Sequence, residues 1–149
     1  MLRVNRETDY AIRILLALAR HGDGVREATS VIQKEMLIPP ALASRIVAEL
    51  AQGGFIITFP GRDGGIQLAK PAAELTVLQV LEFFEGPIHV SECVNGKVVC
   101  PFEDRCPVRR QFTRLDGVIR HALEEVDFAS LAAETDPLPG AITNLAAHS

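Results

Sequence analysis

Three short helical segments followed by a pair of β-prone runs is the feature that most restricts the fold of this chain. The segment "NRETDYAIRILLALARHG" reads as the first helix. Asn5 is placed to cap it, apolar residues recur at Ala11, Ile12, Leu15, Leu16 and Ala19 with helical spacing, and Gly22 stops it. "TSVIQKEML" reads as a second, shorter helix with Thr29 or Ser30 as its cap. "IPPALASRIVAELAQGG" reads as a third. Pro40 suits a first turn that has no N–H partner to lose, Leu42, Ile46, Val47 and Leu50 form the buried stripe, and Gly53–Gly54 ends it. "FIITF" and "IQLA" follow, joined by "PGRDGG", a connection whose glycines, proline and aspartate indicate a hairpin. Helix, helix, helix, hairpin is the order of a winged helix-turn-helix, in which the third helix enters the major groove of DNA and the hairpin reaches the backbone or minor groove.

Downstream, "TVLQVLEFFEG" reads as a fourth helix with Thr76 as cap, and "CPVRRQFTRLDGVIRHALEEV" as the longest. Apolar residues of the long helix fall at Val108, Phe112, Leu115, Ile119, Ala122 and Val126, alternating steps of four and three that match a coiled-coil seam. Val118 and Leu123 widen that face, so part of it can pack at home. The expected architecture is mainly α with a small β hairpin: a winged helix-turn-helix domain over 1–86, a cysteine loop over 87–106, a long dimerisation helix and short terminal helix over 107–134, and a flexible tail over 135–149.

Several function classes are set aside by composition. The chain has 149 residues, 48% of them hydrophobic and 23% charged, which suits one small globular protein. Charges at Arg3, Arg6, Glu7, Asp9 and Arg13 break any leader-like apolar run, and no run approaches the roughly 18 residues needed to span a membrane. A cytoplasmic protein without membrane association is expected. The net charge of −4 is unevenly spread: nine Lys/Arg face seven Asp/Glu through Lys70, and six face twelve after it. The N-terminal half can meet a polyanion, whereas the C-terminal half cannot over much of its surface. No nucleotide loop, nucleophile motif or acid–base set points to an enzyme.

All three cysteines lie in "CVNGKVVCPFEDRC", at Cys93, Cys100 and Cys106. An odd number of thiols and a reducing compartment argue against a structural disulfide. Zinc usually takes paired Cys-x-x-Cys or Cys/His spacing, which is missing here, although spacing alone does not separate zinc from an iron–sulfur cluster. A thiol switch needs only two of the three. Prolines after Cys100 and Cys106 stiffen the loop, and Cys106 opens the long helix, where unpaired N–H groups favour an anionic ligand set.

Taken together, "TDYAIRILLALA", "IPPALASRIVAELAQGGFI", "GRDGGIQLAKP", "TVLQVLEFFEG" and the three-cysteine loop resemble the Rrf-two superfamily of bacterial winged-helix repressors, from Leu2 to about Glu134. The resemblance implies a homodimer with crossing long helices, a double-stranded DNA operator as partner, and an iron–sulfur cluster held by Cys93, Cys100 and Cys106. In the IscR type of that family a histidine three residues after the third cysteine completes a two-iron site, but here that position is Arg109. In the NsrR type a carboxylate near the start of the first helix of the other subunit serves, and here the matching residue is Asp9, with Glu7 behind it. The expectation is therefore a four-iron cluster in preference to a two-iron one, with Asp9 as fourth ligand. The alternative for Asp9 is a first-turn carboxylate that stabilises its own helix. His121 lies roughly 22 Å down the helix from Cys106 at about 1.5 Å per residue. His89 matches no family ligand, and His21 and His148 read as surface residues.

The resemblance also places DNA contacts. Ser44 and Arg45 fall at the base-reading positions of the third helix and Arg62 at the wing tip. Arginine suits both roles, since its fork binds guanine or phosphate bidentately and narrow minor grooves attract it. The expected function is a dimeric transcription regulator, a probable repressor, that senses redox state, nitric oxide or iron–sulfur supply. A cluster-free thiol regulator of the same fold, or a small protein or enzyme with structural zinc, stand as alternatives.

Overall fold

A computed structural model describes residues 3–134, so the tail expected over 135–149, with His148, lies outside the described residues. Among those described, the order is six helices with one hairpin inserted after the third and a 3-10 turn after the hairpin. Helix α1, Arg6–His21, is the centre. The Asn5 side chain accepts the Thr8 N–H at 2.9 Å to open it, and Gly22 at φ 114° closes it. Thr8, Tyr10, Ala11 and the run Ile14–Leu18 are all buried, which leaves α1 only a narrow outer strip. A helix so enclosed needs neighbours on most sides. It touches the other short helices and the second hairpin strand.

Helix α2, Thr29–Glu35, starts without the side-chain cap expected from Thr29 or Ser30; its flanking residue is Ala28. The start is imposed from outside. Glu27 exchanges both backbone hydrogen bonds with Ile66, at 2.9 and 2.8 Å, so the strand pairing fixes where the chain can turn into the helix. Helix α3, Pro40–Gln52, has Pro40 in its first turn as expected. Its buried face is Ala43, Ile46, Val47 and Leu50, while Leu42 sits only half-buried at the edge.

Strands β1, Ile56–Phe59, and β2, Gly65–Leu68, pair antiparallel with Ile56 opposite Leu68 and Phe59 opposite Gly65. Two glycines are required at the foot of the turn. A Cβ on Gly64 meets the Phe59 carbonyl oxygen at 2.2 Å, and one on Gly65, at φ 145°, meets the Glu27 carbonyl oxygen at 2.3 Å. A side chain at Gly64 breaks the turn itself, and one at Gly65 forces the hairpin off the α1–α2 connection.

After the 3-10 turn Ala72–Glu74, helix α4, Val77–Glu85, opens with a reciprocal capping box between Thr76 and Gln79. The cysteine segment follows as a series of turns, and then helix α5, Pro107–Glu124. The last helix, α6, Phe128–Ala133, folds back onto α1 and the 3-10 turn. Phe128 is completely buried there. Its N–H donates to the Leu75 carbonyl at 2.9 Å, and the Val77 N–H donates to Val126 at 2.9 Å. Asp127 caps α6, and the Ser130 backbone N–H, aided by the Ser130 hydroxyl, holds its carboxyl below the usual carboxylate range.

The α5 face differs from the seam drawn from spacing. Val126 has left the helix to bond with Val77, so the seam ends earlier. Ile119 and Leu123 pack at home, against the small cluster of Leu78, Leu81 and Ile88. Phe112 is half-buried. The side chains left exposed are Val108, Leu115 and Ala122, seven residues apart, with Val118 beside them. A seven-residue interval keeps one line on a helix, so the apolar stripe is narrower than the sequence implies and rotated away from α4. Gly117 lies in an unbroken helix, and a Cβ there meets nothing within 4 Å, so no bend and no close approach inside the chain explains it.

Deleting the Phe128 ring leaves a cavity between α1 and α6. Phe128→Ala is expected to lower the unfolding free energy by about 3–5 kcal/mol, against less than about 0.5 kcal/mol for Phe102→Ala on the exposed loop. Urea unfolding of both variants checks the contrast.

Candidate DNA-reading surface and cysteine loop

The candidate reading surface lies where α3 and the hairpin pack against the α1 core. Ser44 and Arg45 are both exposed on α3, opposite its buried face. Ser44 Oγ donates weakly to the Pro40 carbonyl at 3.4 Å. The Arg45 guanidinium forms an ion pair with Glu7 in the first turn of α1. Arg62 is exposed in the turn of the hairpin. A second cation shares that hairpin: Arg26 stacks over the Phe59 ring, 3.5 Å from its centroid, and donates to the Asp63 carbonyl at 3.3 Å. Spacing alone gave no sign of Arg26, because its place on the wing depends on the Glu27–Ile66 pairing.

The cysteine loop is held by side chains from α5. Cys93, Cys100 and Cys106 are all free thiols and half-buried. Cys106 stands at the N-terminal cap of α5, its Sγ accepting the Arg109 N–H at 3.4 Å. Cys93 Sγ lies 3.2 Å from the Ser91 hydroxyl. The Cys100 carbonyl accepts the Glu103 N–H at 3.0 Å, one of several tight turns between Ser91 and Arg105. Arg109 reaches back across the loop, its Nε donating to the Cys93 carbonyl at 3.1 Å and its terminal nitrogen pairing with Glu103 at 2.7 Å. Thus the residue that displaces the IscR-type histidine is a structural clasp in this chain.

One buried acidic side chain accompanies this loop. Asp116, on α5, is 6% exposed and is the one buried acidic or basic side chain among the described residues. Its carboxylate accepts the Val90 N–H at 2.7 Å and lies 3.2 Å from His89 Nδ1. The readable signal was an acid seven residues beyond Arg109, on the same side of the helix as Leu123. Among the described residues His121 pairs with Glu125 on its own helix. His21 is not the plain surface residue its sequence position indicates. It is half-buried between Glu27, at 3.6 Å, and Glu35, at 2.8 Å.

Asp9 lies in the first turn of α1 and pairs with Arg13 one turn on, at 2.7 Å. The same turn carries Glu7, the partner of Arg45. Within the described residues, no three His, Cys, Asp or Glu side chains are gathered as a metal-holding group. By number and kind, the three free thiols on one irregular loop fit a soft-metal or iron–sulfur centre. Collecting them around one centre requires the loop to close further than it does here.

No helix among the described residues is long and apolar enough to cross a membrane. Comparison with known proteins gives a consistent result. Residues 4–134 match the Rrf2 family, described as iron-dependent transcriptional regulators. The transcriptional regulator NsrR of Oceanobacillus iheyensis is 26% identical across 92% of this chain and 94% of its own length. Protein aau3 of Rhizobium meliloti is 29% identical across 70% of this chain and 68% of its own. In fold, the chain is similar to CymR, the global cysteine regulator of B. subtilis, with a TM-score of 0.76 at 23% identity over 91% of this chain and all of that one. It is similar also to T. potens IscR, with a TM-score of 0.69 at 16% identity, covering 91% of this chain and 93% of that one. The family description and the name of the NsrR relative are those of transcriptional regulators, not enzymes, and the CymR and IscR chains share the fold described above. From its first helix to its last described one, the chain belongs to the Rrf2 family and is a DNA-binding transcription regulator.

Proposed function

We propose that the chain acts as a homodimeric repressor whose hold on an operator depends on an iron–sulfur cluster carried by the cysteine loop. The observation that carries this reading is the collection of three free thiols in one loop clasped to α5, whose far side is an exposed apolar stripe. Val108, Leu115, Val118 and Ala122 would pair the helices of two subunits. Cys93, Cys100 and Cys106 would hold the cluster, with the partner subunit's Asp9 as fourth ligand. The cluster would supply reactivity toward oxygen or nitric oxide that protein groups lack. A four-iron form is favoured over a two-iron form by the carboxylate and by the replacement of the IscR-type histidine with Arg109.

The rest of the work falls to the chain. Asp9 must leave Arg13 to serve as a ligand, and an exposed pair one helical turn apart holds it by only about 0.3–0.5 kcal/mol. Glu7 shares that turn and holds Arg45. Engagement of Asp9 therefore acts on the helix end that positions a base-reading arginine, which gives cluster state and DNA affinity a common lever. Ser44 and Arg45 would read bases, and Arg62 would hold the backbone or minor groove from the wing. The domain division proposed is a reading domain over 1–86, a sensing loop over 87–106 and a dimerisation segment over 107–134.

A second reading, a thiol-based regulator without a cluster, is favoured by a different observation. The three thiols are separate in the described chain, and a fold neighbour is a cysteine regulator, CymR, solved also from S. aureus in an oxidized form. Iron and sulfide analysis after anaerobic purification separates the two. Stoichiometric iron and sulfide, lost in each Cys→Ser variant, supports the cluster; a metal-free protein whose DNA binding still follows its thiol state supports the switch. Stoichiometric zinc without sulfide overturns both.

Two further outcomes are expected. Sedimentation of the wild type at micromolar concentration gives a dimer, and Leu115→Asp, which puts an unpartnered charge into the stripe, gives a monomer. In DNA binding over a salt series, Arg45→Ala costs about 1–3 kcal/mol on operator DNA and little on random DNA. Arg62→Ala weakens both and lowers the salt slope by about one.

A further inference from the structure

Asp116 is not among the proposed reading residues, contributes no thiol and does not lie on the exposed stripe, yet its carboxyl is buried. A carboxylate removed from water is costly unless its oxygens are satisfied, and here both are used on two adjacent residues, one through its backbone and one through its side chain. One oxygen accepts the Val90 N–H at 2.7 Å and the other meets His89 Nδ1 at 3.2 Å. Seven residues earlier on the same side of α5, Arg109 donates to the Cys93 carbonyl at 3.1 Å. Seven residues is two helical turns, so the pair forms two fixed points along the helix. Between them the segment from Ile88 to Cys93 is laid against α5, and Ile88 itself is buried in the small cluster that holds Ile119 and Leu123. The remainder of the loop meets α5 at one point only among the bonds of the described residues, the Glu103–Arg109 ion pair, and Cys100 reaches it at second hand, its carbonyl accepting the Glu103 N–H; Asn95 and Glu92 bond to each other, Lys97 to Asn95, and Val98, Val99 and Phe102 are exposed.

From this geometry we infer that Asp116 is a positioning residue that, with Arg109, couples the first leg of the cysteine loop to α5. Cys93 is tied to α5 through its own carbonyl and the Asp116 anchor beside it, whereas Cys100 is tied only through Glu103 and not through Asp116. A chemical change at Cys93 is delivered to the helix through the clasp. This deepens the proposed sensing role, since it names the route by which the loop's state leaves the loop, but its test needs neither metal nor operator. The charge matters less than the acceptor: an asparagine keeps an oxygen for the Val90 N–H, and alanine removes it.

The experiment uses the full-length, reduced, metal-free protein, with maleimide labelling of each cysteine followed by peptide mass analysis. Asp116→Ala is expected to speed labelling of Cys93 about tenfold while Cys100 changes less than twofold, the scale for losing a hydrogen bond to a charged group. Asp116→Asn is expected to restore most of the wild-type rate. Equal acceleration at both cysteines means general loosening and overturns the inference, as does no acceleration at either. The second arm measures amide exchange along α5 before and after iodoacetamide alkylation of Cys93 alone, in a Cys100→Ser, Cys106→Ser background that serves as the wild type of this arm, since Cys106 itself caps α5. In the wild type, alkylation is expected to change exchange around residues 109–116 severalfold, and in Asp116→Asn to do the same. In Asp116→Ala that response is lost. If the wild-type helix ignores alkylation, or the alanine variant responds as fully as the wild type, Asp116 does not couple the two. Should Asp116→Ala fail to fold, Arg109→Ala is compared with Glu103→Ala, which removes the ion pair and leaves the bond to Cys93: Cys93 labelling is expected to speed in the first and not in the second, and equal acceleration of Cys93 in both overturns the inference. Iron and sulfide content, measured separately, decides the cluster itself.

Discussion

Burial of α1 around most of its circumference is the constraint on which the other elements depend. Eight of its sixteen residues are buried, and three of these are alanines or threonine small enough to let neighbours come close. Helices α3, α4 and α6 each find their own apolar face completed by it. Because α1 spends its surface on the interior, the groups that act outward are carried by what packs against it. Ser44 and Arg45 project from α3, Arg62 and Arg26 from the hairpin, and the thiols hang from the connection between α4 and α5. The ends of α1 are the exception. Its first turn offers Glu7 to Arg45 and Asp9 to Arg13, and its last turn offers His21 to Glu27 and Glu35. Its core is inert while both ends are polar junctions.

Local chemistry was legible in the sequence wherever it was self-contained. Asn5, Pro40, Thr76 and Gly22 act at the helix ends their neighbours announce, since a cap needs only residues three or four positions away. The hairpin was legible for the same reason. Elements fixed from a distance were not. Helix α2 begins where Glu27 pairs with Ile66, almost forty residues on, so its expected Thr29 or Ser30 cap does not exist. The α5 seam was read as one stripe, but Ile119 is claimed by Leu78 and Leu81 and Val126 by Val77, partners that helical periodicity cannot see.

The candidate sensing site was legible in its thiols and obscure in its support. Three cysteines in one segment are conspicuous, and the structure keeps them free and half-buried in turns. What holds the segment is Arg109 and Asp116, two residues that look like ordinary charges on an amphipathic helix. Arg109 was noticed only as the absence of a histidine. Its actual bonds, to the Cys93 carbonyl and to Glu103, come from the fold bringing the loop back over the start of α5. Burial is what distinguishes Asp116, and burial is a tertiary property.

The glycine pair under the hairpin has a thermodynamic side. With Gly64 tight against Phe59 and Gly65 tight against Glu27, the wing is stitched to the body at its root, and Arg26 braces it by stacking on Phe59. An arm ordered in advance loses little conformational freedom when it meets a duplex, so more of its contact energy remains as affinity. The same stiffness limits accommodation. In the proposed complex a wing held this way would present Arg62 at a set height above the groove, and a duplex whose minor groove has another width would itself have to deform to meet it. Part of the selectivity of such a protein then resides in the mechanics of the DNA, at base pairs that no side chain touches.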